Sequence, residues 1–189
     1  MVKQDAEEVQ QALRSCPAPV VVVGWSYGGT VIGVAAAGEA AVTRLVYVAA
    51  VPTPVRTHEG DLSWLPADPH IIIGQDGTSV LDNDWWLTDE AAATATFSAE
   101  IMDHLRHHPR RPASLRTDTD PVLAAAWQTI PTTVLLGRND ELVSADEIAW
   151  VTEHVKDVRL LDTDHFIPFR QPEAITQVMV EALDNPTHG

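Results

Sequence analysis

Residues 20–30, Val-Val-Val-Val-Gly-Trp-Ser-Tyr-Gly-Gly-Thr, decide how the rest of the chain is interpreted. The first four are β-branched and apolar with no polar alternation, which is typical of a strand buried on both faces, as in a parallel sheet. Small residues suited to a helix follow over residues 30–37. The stretch therefore predicts a strand, a tight turn and a helix in immediate succession.

The turn in this stretch matches the pattern G-x-S-x-G, with Ser26 at its centre. A serine hydroxyl is a weak nucleophile unless it is exposed beside a base and near donors for a developing oxyanion. A sharp strand-to-helix turn provides that exposure. We expect Gly24 and Gly28 to avoid side-chain collisions at the crossing and Gly29 to let the helix approach the sheet. The amide of Tyr27, at the start of the helix, is the predicted oxyanion donor.

The turn has two other interpretations. An incidental serine in a glycine-rich turn would match by chance, since the pattern fixes only three positions. A phosphate-binding loop needs G-x-G-x-x-G or a following Gly-Lys-Ser/Thr, and the stretch has neither. The buried strand before the turn and the small-residue helix after it favour a nucleophile elbow, in which Trp25 precedes the serine.

Composition narrows the class of protein. The chain has 189 residues, 45% of them hydrophobic, which fits one globular domain. A formal net charge of -15 argues against nucleic acid or an anionic membrane as a partner. The polar start of the chain resembles no signal peptide, no apolar run reaches membrane-spanning length, and the single cysteine, Cys16, fits a reducing compartment. We therefore expect a cytoplasmic protein with a small-molecule substrate.

Alternating apolar strands and helices predict a βαβ arrangement, which implies a parallel sheet with right-handed crossovers. The predicted strands are residues 20–23, 42–50, 132–136 and 158–161, and the predicted helices are residues 5–13, 30–37, 144–155 and 172–183.

Residues 51–129 differ in character, because they are rich in proline and contain no apolar β run apart from residues 71–73. A segment of this length between core strands is usually a lid or cap. We therefore predict one domain with a core of residues 1–50 and 130–189 and a cap between them.

Within this segment, a helix start at Thr88 and a helix over residues 91–108 are expected. Trp85, Trp86 and Phe97 are candidates to line an apolar substrate pocket. That they instead hold the cap together internally is equally compatible with the sequence.

Three strand ends carry the candidate catalytic residues. Ser26, Asp140 and His165 each follow a predicted parallel strand, and the carboxyl ends of such strands collect ligands and catalytic groups. The chain order nucleophile, acid, base is the one expected for a hydrolase built on a strand-turn-helix elbow. Asp162 and Asp164 are rival acids, but Asp164 adjoins the histidine and would face away from it on an extended chain.

Together the elbow, the turn at residues 137–143 and the Thr-Asp-His of residues 163–165 resemble the α/β-hydrolase superfamily. Residues 45–50 and 125–131 are similar to its small esterase branch, which includes methylesterases and hydroxynitrile lyases. The resemblance implies a mostly parallel α/β sheet with flanking helices and a helical cap. It also implies Ser26 as nucleophile, His165 as general base and then acid, and Asp140 as the group that orients His165, with no metal or cofactor.

The sequence departs from the family pattern on the amino-terminal side of Ser26. Only about two dozen residues precede Ser26, so the first half of the sheet is expected to be missing. The missing part includes the loop that supplies a second oxyanion donor, whose loss typically costs about 10² to 10³ in turnover. The loss of the neighbouring strands would also leave the first strand, residues 20–23, as an exposed hydrophobic edge that favours pairing with a second copy of the chain. Either the sequence is part of a longer hydrolase, or the short form is real and self-associates.

A metal site is the remaining structural alternative. His104, His107 and His108 share a helix face beside Asp103. Histidines near a helix carboxyl terminus, just before Pro109, are well explained by the helix dipole without a metal. We therefore assign no metal to this chain.

The expected function is a serine hydrolase that cleaves a small carboxylic ester through an acyl-enzyme intermediate. A catalytically silent family member that binds a ligand under the cap is one alternative. A lyase or perhydrolase that uses the same three residues is another.

Overall fold

The computed structural model describes residues 1–60, 71–81, 97–108 and 111–184. The chain divides into two compact units, which we name the sheet unit (Val2–His58 with Pro121–Gly189) and the inserted unit (Met1 with Glu59–Asp120). The predicted boundaries of core and cap, at residues 50 and 130, stay a prediction.

The described residues form helices and strands, and a short 3-10 turn at Ala126–Gln128 precedes β6. In chain order they are α1 (Val2–Ser15), β1 (Val20–Trp25), α2 (Tyr27–Ala35), β2 (Val42–Val48), β3 (Ile71–Ile73), β4 (Thr78–Leu81), α3 (Ala99–His107), β5 (Ala113–Ser114), α4 (Arg116–Thr119), β6 (Thr132–Gly137), α5 (Ala145–His154), β7 (Asp157–Leu161), α6 (Ile167–Arg170) and α7 (Pro172–Asp184).

The sheet unit is built on four strands in the order β1-β2-β6-β7. Every neighbouring pair is parallel, with Trp25 beside Val48 and Leu45 beside Thr132. The predicted α/β fold with a parallel sheet and flanking helices is confirmed. Because the strands are parallel, their carboxyl ends lie along one edge of the sheet and their amino ends along the other.

Both faces of this sheet are covered, which explains the unbroken apolar runs of the sequence. Leu45 and Tyr47 of β2 belong to one hydrophobic cluster, which includes residues of α1 and α2. The alternating residues Val46 and Val48 belong to a second cluster, together with Val178 of α7. All four β2 side chains are fully buried. A sheet with two buried faces cannot tolerate polar alternation along its central strands.

The close approach of α2 to β2 depends on glycine. A Cβ at Gly29 would lie 2.7 Å from Ala50 Cβ and 2.9 Å from the Tyr47 ring, and one at Gly33 would lie 2.7 Å from the Tyr47 hydroxyl. The expectation that Gly29 lets the helix approach the sheet is confirmed. Burial raises the pKa of Tyr47 well above its usual range, so the phenol stays neutral beneath the helix.

The inserted unit contains a three-stranded antiparallel sheet, β3-β4-β5, that the sequence analysis predicted only in part. A turn at Asp76 and Gly77 joins β3 to β4. Gly77 has a φ of 75°, and Asp76 Oδ1 accepts hydrogen bonds from the amide and hydroxyl of Thr78. An Asp-Gly pair between short β-compatible runs is a recognised hairpin signal, so these residues carried a sequence signal for the hairpin.

The predicted helix over residues 91–108 is wrong at its centre. Helix α3 begins at Ala99, because Ser98 takes an extended conformation and its side chain accepts a hydrogen bond from the amide of Ile101. Ser98 is thus an N-cap rather than an interior residue. The expected start at Thr88 and residues 91–96 of the predicted helix lie outside the described residues.

No helix in the part of the chain that the structure describes is long and apolar enough to cross a membrane.

Candidate active site

The elbow at Ser26 has the backbone strain expected of a nucleophile turn. Ser26 joins β1 to α2 with φ 54° and ψ -128°, a conformation that residues other than glycine rarely adopt. Its amide donates a 3.0 Å hydrogen bond to the Val48 carbonyl, and its own carbonyl accepts one of 2.8 Å from the Gly29 amide. Strain of this kind persists only where the surroundings hold it, and it concentrates at functional sites.

The two outer glycines of the elbow differ in what they do. A Cβ at Gly24 would lie 2.5 Å from the Gly28 carbonyl oxygen, so the crossing requires glycine there. A Cβ at Gly28 would meet nothing within 4 Å. The expectation that Gly28 prevents a collision is therefore wrong, because the position opens to free space on the first turn of α2.

Asp140 lies in the turn that follows β6. Its Oδ1 accepts a 2.9 Å hydrogen bond from the Leu142 amide, and its side chain is completely buried. The backbone after β7 passes close to Gly137 at the end of β6, since a Cβ there would clash with the Thr163 and Asp164 carbonyls. Just beyond it, a capping box between Ser144 and Glu147 starts α5 at the predicted place.

His165 connects the other two candidate residues. Its Nδ1 lies 2.9 Å from Asp140 Oδ2, and its Nε2 lies 2.9 Å from Ser26 Oγ. Its side chain is 12% exposed. A carboxylate at Nδ1 favours the tautomer with the proton on that nitrogen, which leaves Nε2 as acceptor for the serine hydroxyl. The structure thus brings together three residues that lie far apart in the sequence.

The rival acids make other contacts. Asp164 accepts a hydrogen bond from the Phe166 amide and pairs with Arg170, and Asp162 lies 3.4 Å from the Asn139 side-chain nitrogen. The carboxylate that reaches His165 is therefore that of Asp140.

Tyr27 is the first residue of α2, so its amide belongs to the turn whose N–H groups point out of the helix start. Its side chain points elsewhere, because the hydroxyl donates a 2.6 Å hydrogen bond to Asp5 of α1. The role of the amide as oxyanion donor stays a prediction.

The predicted pocket residues are only partly described. Phe97 is 5% exposed within the inserted unit, whereas Trp85 and Trp86 lie outside the described residues. Their grouping as a substrate pocket therefore stays a prediction.

The histidines considered for a metal site bond to their own helix. His107 Nδ1 lies 2.8 Å from the Asp103 carbonyl, and His108 Nδ1 lies 3.0 Å from the His104 carbonyl. Within the described ranges, no group of three or more histidine, cysteine or acidic side chains could hold a metal ion.

One contact of the site was not predictable from the sequence. The indole Nε1 of Trp25 donates a 2.9 Å hydrogen bond to the carbonyl of His165. The only sequence signal was a tryptophan at a variable position of the elbow pattern, which does not reveal a partner 140 residues away.

A cavity of about 1020 Å³ opens at the other edge of the sheet. Its lining includes Arg44, Trp127, Thr132, Lys156 and Asp157, which lie at or near the amino ends of β2, β6 and β7. Because Ser26, Asp140 and His165 lie at carboxyl ends, this cavity is not the place where a substrate would meet the serine.

Comparisons with known proteins agree with this architecture. Residues 3–178 match the model of the alpha/beta hydrolase family. A pyrethroid hydrolase from Sphingobium faniae JZ-2 superposes with a TM-score of 0.68 at 16% identity, over 96% of this chain and 77% of that one. A methylesterase from Arabidopsis superposes with a TM-score of 0.67 at 18% identity, over 97% and 78% of the two chains. A tomato methylketone synthase I variant, solved with beta-ketoheptanoate, superposes with a TM-score of 0.70 at 12% identity, over 96% of this chain and 77% of that one. No curated protein matches the sequence.

The family match covers most of the chain, and the chain therefore belongs to the alpha/beta hydrolase family. The structural likenesses have low sequence identity and establish the shared fold.

Proposed function

We propose that this protein is a serine hydrolase that cleaves a small carboxylic ester, with Ser26 as nucleophile, His165 as general base and Asp140 as the orienting carboxylate. The observation that carries the proposal is the pair of 2.9 Å contacts that link Ser26 Oγ, the His165 ring and Asp140 Oδ2 in series. A base within hydrogen-bond reach of the nucleophile, itself held by a third group, is the arrangement that activates a serine.

The reaction begins when Ser26 Oγ attacks the ester carbonyl carbon. His165 Nε2 takes the hydroxyl proton as the new C–O bond forms, and the carbonyl oxygen becomes an oxyanion. The intermediate collapses with loss of the alcohol, which takes the proton from His165. An acyl group then remains on Ser26.

Deacylation repeats the same steps with water. His165 Nε2 removes a proton from the water molecule that attacks the acyl carbon, and it returns that proton to Ser26 as the carboxylic acid leaves. The enzyme is restored with no net change in protons, and water supplies the added atoms. These steps use only side chains of this chain and the substrate.

Asp140 acts through His165. Its buried carboxylate holds the ring with Nδ1 protonated and stabilises the imidazolium that forms in each step. The amide of Tyr27 is the proposed donor to the oxyanion, since it adjoins Ser26 at the start of α2.

An ester as substrate is supported by relatives of the same fold. The neighbours' names include a methylesterase and a polyneuridine aldehyde esterase, and those names describe those proteins only. The methylketone synthase shares the fold as well, so a lyase or perhydrolase reaction is the competing proposal for the same three residues.

The test is labelling by a fluorophosphonate probe, which forms a covalent bond with an activated serine. We expect the wild-type protein to be labelled and Ser26→Ala to remain unlabelled. The matched control is Ser144→Ala, which removes a hydroxyl that caps α5 and lies outside the triad. Burst release of nitrophenol from a nitrophenyl ester would then show acyl-enzyme formation.

Labelling that persists in Ser26→Ala would refute Ser26 as the nucleophile. Labelling of neither protein would instead favour a ligand-binding member of the family. Labelling without ester turnover, combined with cleavage of a cyanohydrin or perhydrolysis, would favour the competing reactions.

A further inference from the structure

We propose that Trp25 is a positioning residue that holds His165 in line with Ser26, an inference that rests on the proposed function. The indole N–H donates to the His165 carbonyl at 2.9 Å, and Trp25 directly precedes the nucleophile. The strand that carries Ser26 is thereby tied to the backbone of the base.

The segment around His165 is held from two sides. On one side, the Asn139 amide donates a 3.0 Å hydrogen bond to the Thr163 carbonyl, which ties the segment to the turn that carries Asp140. On the other side, the Trp25 indole binds the His165 carbonyl. The first bond sets the distance from histidine to aspartate, and the second sets the distance from histidine to serine.

Aromatic contacts fix the indole in this place. The Trp25 ring centre lies 5.9 Å from that of His165, 6.1 Å from Phe166 and 5.8 Å from Phe169 in an edge-on arrangement. Edge-on and tilted pairs at these separations are favourable, so the ring has little freedom to turn its N–H away. A side chain held in this way can transmit the position of β1 to His165.

Because different hydrogen bonds hold His165 toward Asp140 and toward Ser26, loss of the indole N–H predicts a defect in the second contact alone. Without the indole N–H, His165 keeps its hydrogen bond to Asp140, but its Nε2 is no longer held in line with Ser26 Oγ. A small misplacement of a reacting group slows chemistry even when the overall fold persists. The variant Trp25→Phe keeps an aromatic ring and removes the donor, so it isolates the hydrogen bond.

The experiment measures two quantities in wild type and Trp25→Phe. The first is the rate of fluorophosphonate labelling, which we expect to fall about five-fold, the effect of one net hydrogen bond on a rate. The second is the low-field proton resonance of His165 Nδ1–H, which we expect to persist because Asp140 still holds it. Trp150→Phe is the matched control, since Trp150 packs on Trp127 and His154 away from the triad, and it should label like wild type.

Each result decides the inference. Equal labelling rates in Trp25→Phe and wild type refute the positioning role while leaving the proposed function intact. Slow labelling together with loss of the low-field resonance also refutes it, because a general structural role would then explain the defect. Absence of labelling in the wild type refutes the proposed function itself. If Trp25→Phe does not fold, Trp25→Met, a long apolar side chain without a donor, provides the same two readouts.

Discussion

The two edges of the parallel sheet both carry charged side chains, but they hold them in different ways. At the carboxyl edge the fully buried carboxylate of Asp140 lies 2.9 Å from Nδ1 of the His165 imidazole, a ring whose nitrogens can donate or accept a hydrogen bond. At the amino edge Arg159, whose charge is permanent, pairs with Asp157 at 3.0 Å and Glu181 at 2.8 Å, and these side chains are a third or more exposed.

The two edges differ in the kind of side chain that is paired with the carboxylate. At the amino edge the pKa of Asp157 is affected first by burial, which raises it, but hydrogen bonds from Arg159 and Thr133 outweigh burial and lower it overall. A carboxylate paired with a permanent cation stays ionised and stabilises its neighbours. At the carboxyl edge the partner of Asp140 is the imidazole of His165, and in the proposed mechanism a charge pair would form there as His165 takes the serine proton.

The largest effect is expected from Asp140→Asn, which keeps the shape of the side chain and removes its charge. Turnover of a nitrophenyl ester should fall about 10⁴-fold, because the ring loses both its tautomer and its counter-charge. Arg159→Gln at the amino edge is the matched control and should leave the kcat within about two-fold. A loss smaller than about ten-fold in Asp140→Asn would mean that the carboxylate does not orient His165.

The second largest effect is expected from alanine at the elbow glycines. Gly24→Ala should lower the free energy of unfolding by about 3 kcal/mol, since the new Cβ meets backbone that cannot move aside. Gly28→Ala is its matched control and should change stability by less than about 0.5 kcal/mol, because its Cβ meets open space. Urea unfolding measures both. Equal effects in the two variants would show that the carboxyl edge is not held as tightly as the geometry indicates.

A further prediction concerns the lateral edge of the sheet. Among the described residues, β1 pairs only with β2. The Ser26 amide donates to the carbonyl of Val48, the last residue of β2. Because successive amides of a strand point to opposite sides, the amides of Val23 and Trp25 point away from β2. Self-association through this strand, expected from the sequence, stays a prediction. Light scattering should then give about twice the monomer mass, and Val23→Pro, which removes an outward amide, should restore the monomer. A wild-type monomer at all concentrations would contradict it.

The smallest effect concerns acid stability at the amino edge. Because the pKa of Asp157 is lower in the folded state, its contribution to stability is present above the unfolded pKa of about 3.9 and is lost as pH falls below it. Asp157→Asn should therefore reduce the stability difference between pH 7 and pH 3 by at most about 1 kcal/mol, since solvent screens a pair this exposed.

Glu153→Gln, on the exposed face of α5, controls for the loss of one negative charge in this test. Urea unfolding at the two pH values measures both variants. A drop in Asp157→Asn no larger than that in Glu153→Gln would show that the amino-edge pairing adds nothing to stability.

The sheet unit was predictable because its signals are local. Runs such as residues 20–23 and 132–136 are apolar without interruption, and that pattern has one common structural origin, a strand with helices on both faces. The places of Ser26, Asp140 and His165 followed from their positions just after such strands.

The inserted unit was less predictable because its elements are short. Strand β5 has two residues, which carry too little periodicity to be recognised, and the start of α3 depends on the conformation of one residue, Ser98. The role assigned to Gly28 failed for a related reason, since only the path of α2 decides whether a Cβ meets an atom or open space.

The sequence by itself determined the parallel sheet, the elbow and the order of serine, aspartate and histidine along the chain, because each depends on residues near one another. Tertiary structure alone decided that Asp140 Oδ2 lies 2.9 Å from His165 Nδ1, and that Trp25 binds the carbonyl of that histidine. These contacts join segments 25 and 140 residues apart, so their geometry depends on how the strands are ordered in the sheet and on no local pattern.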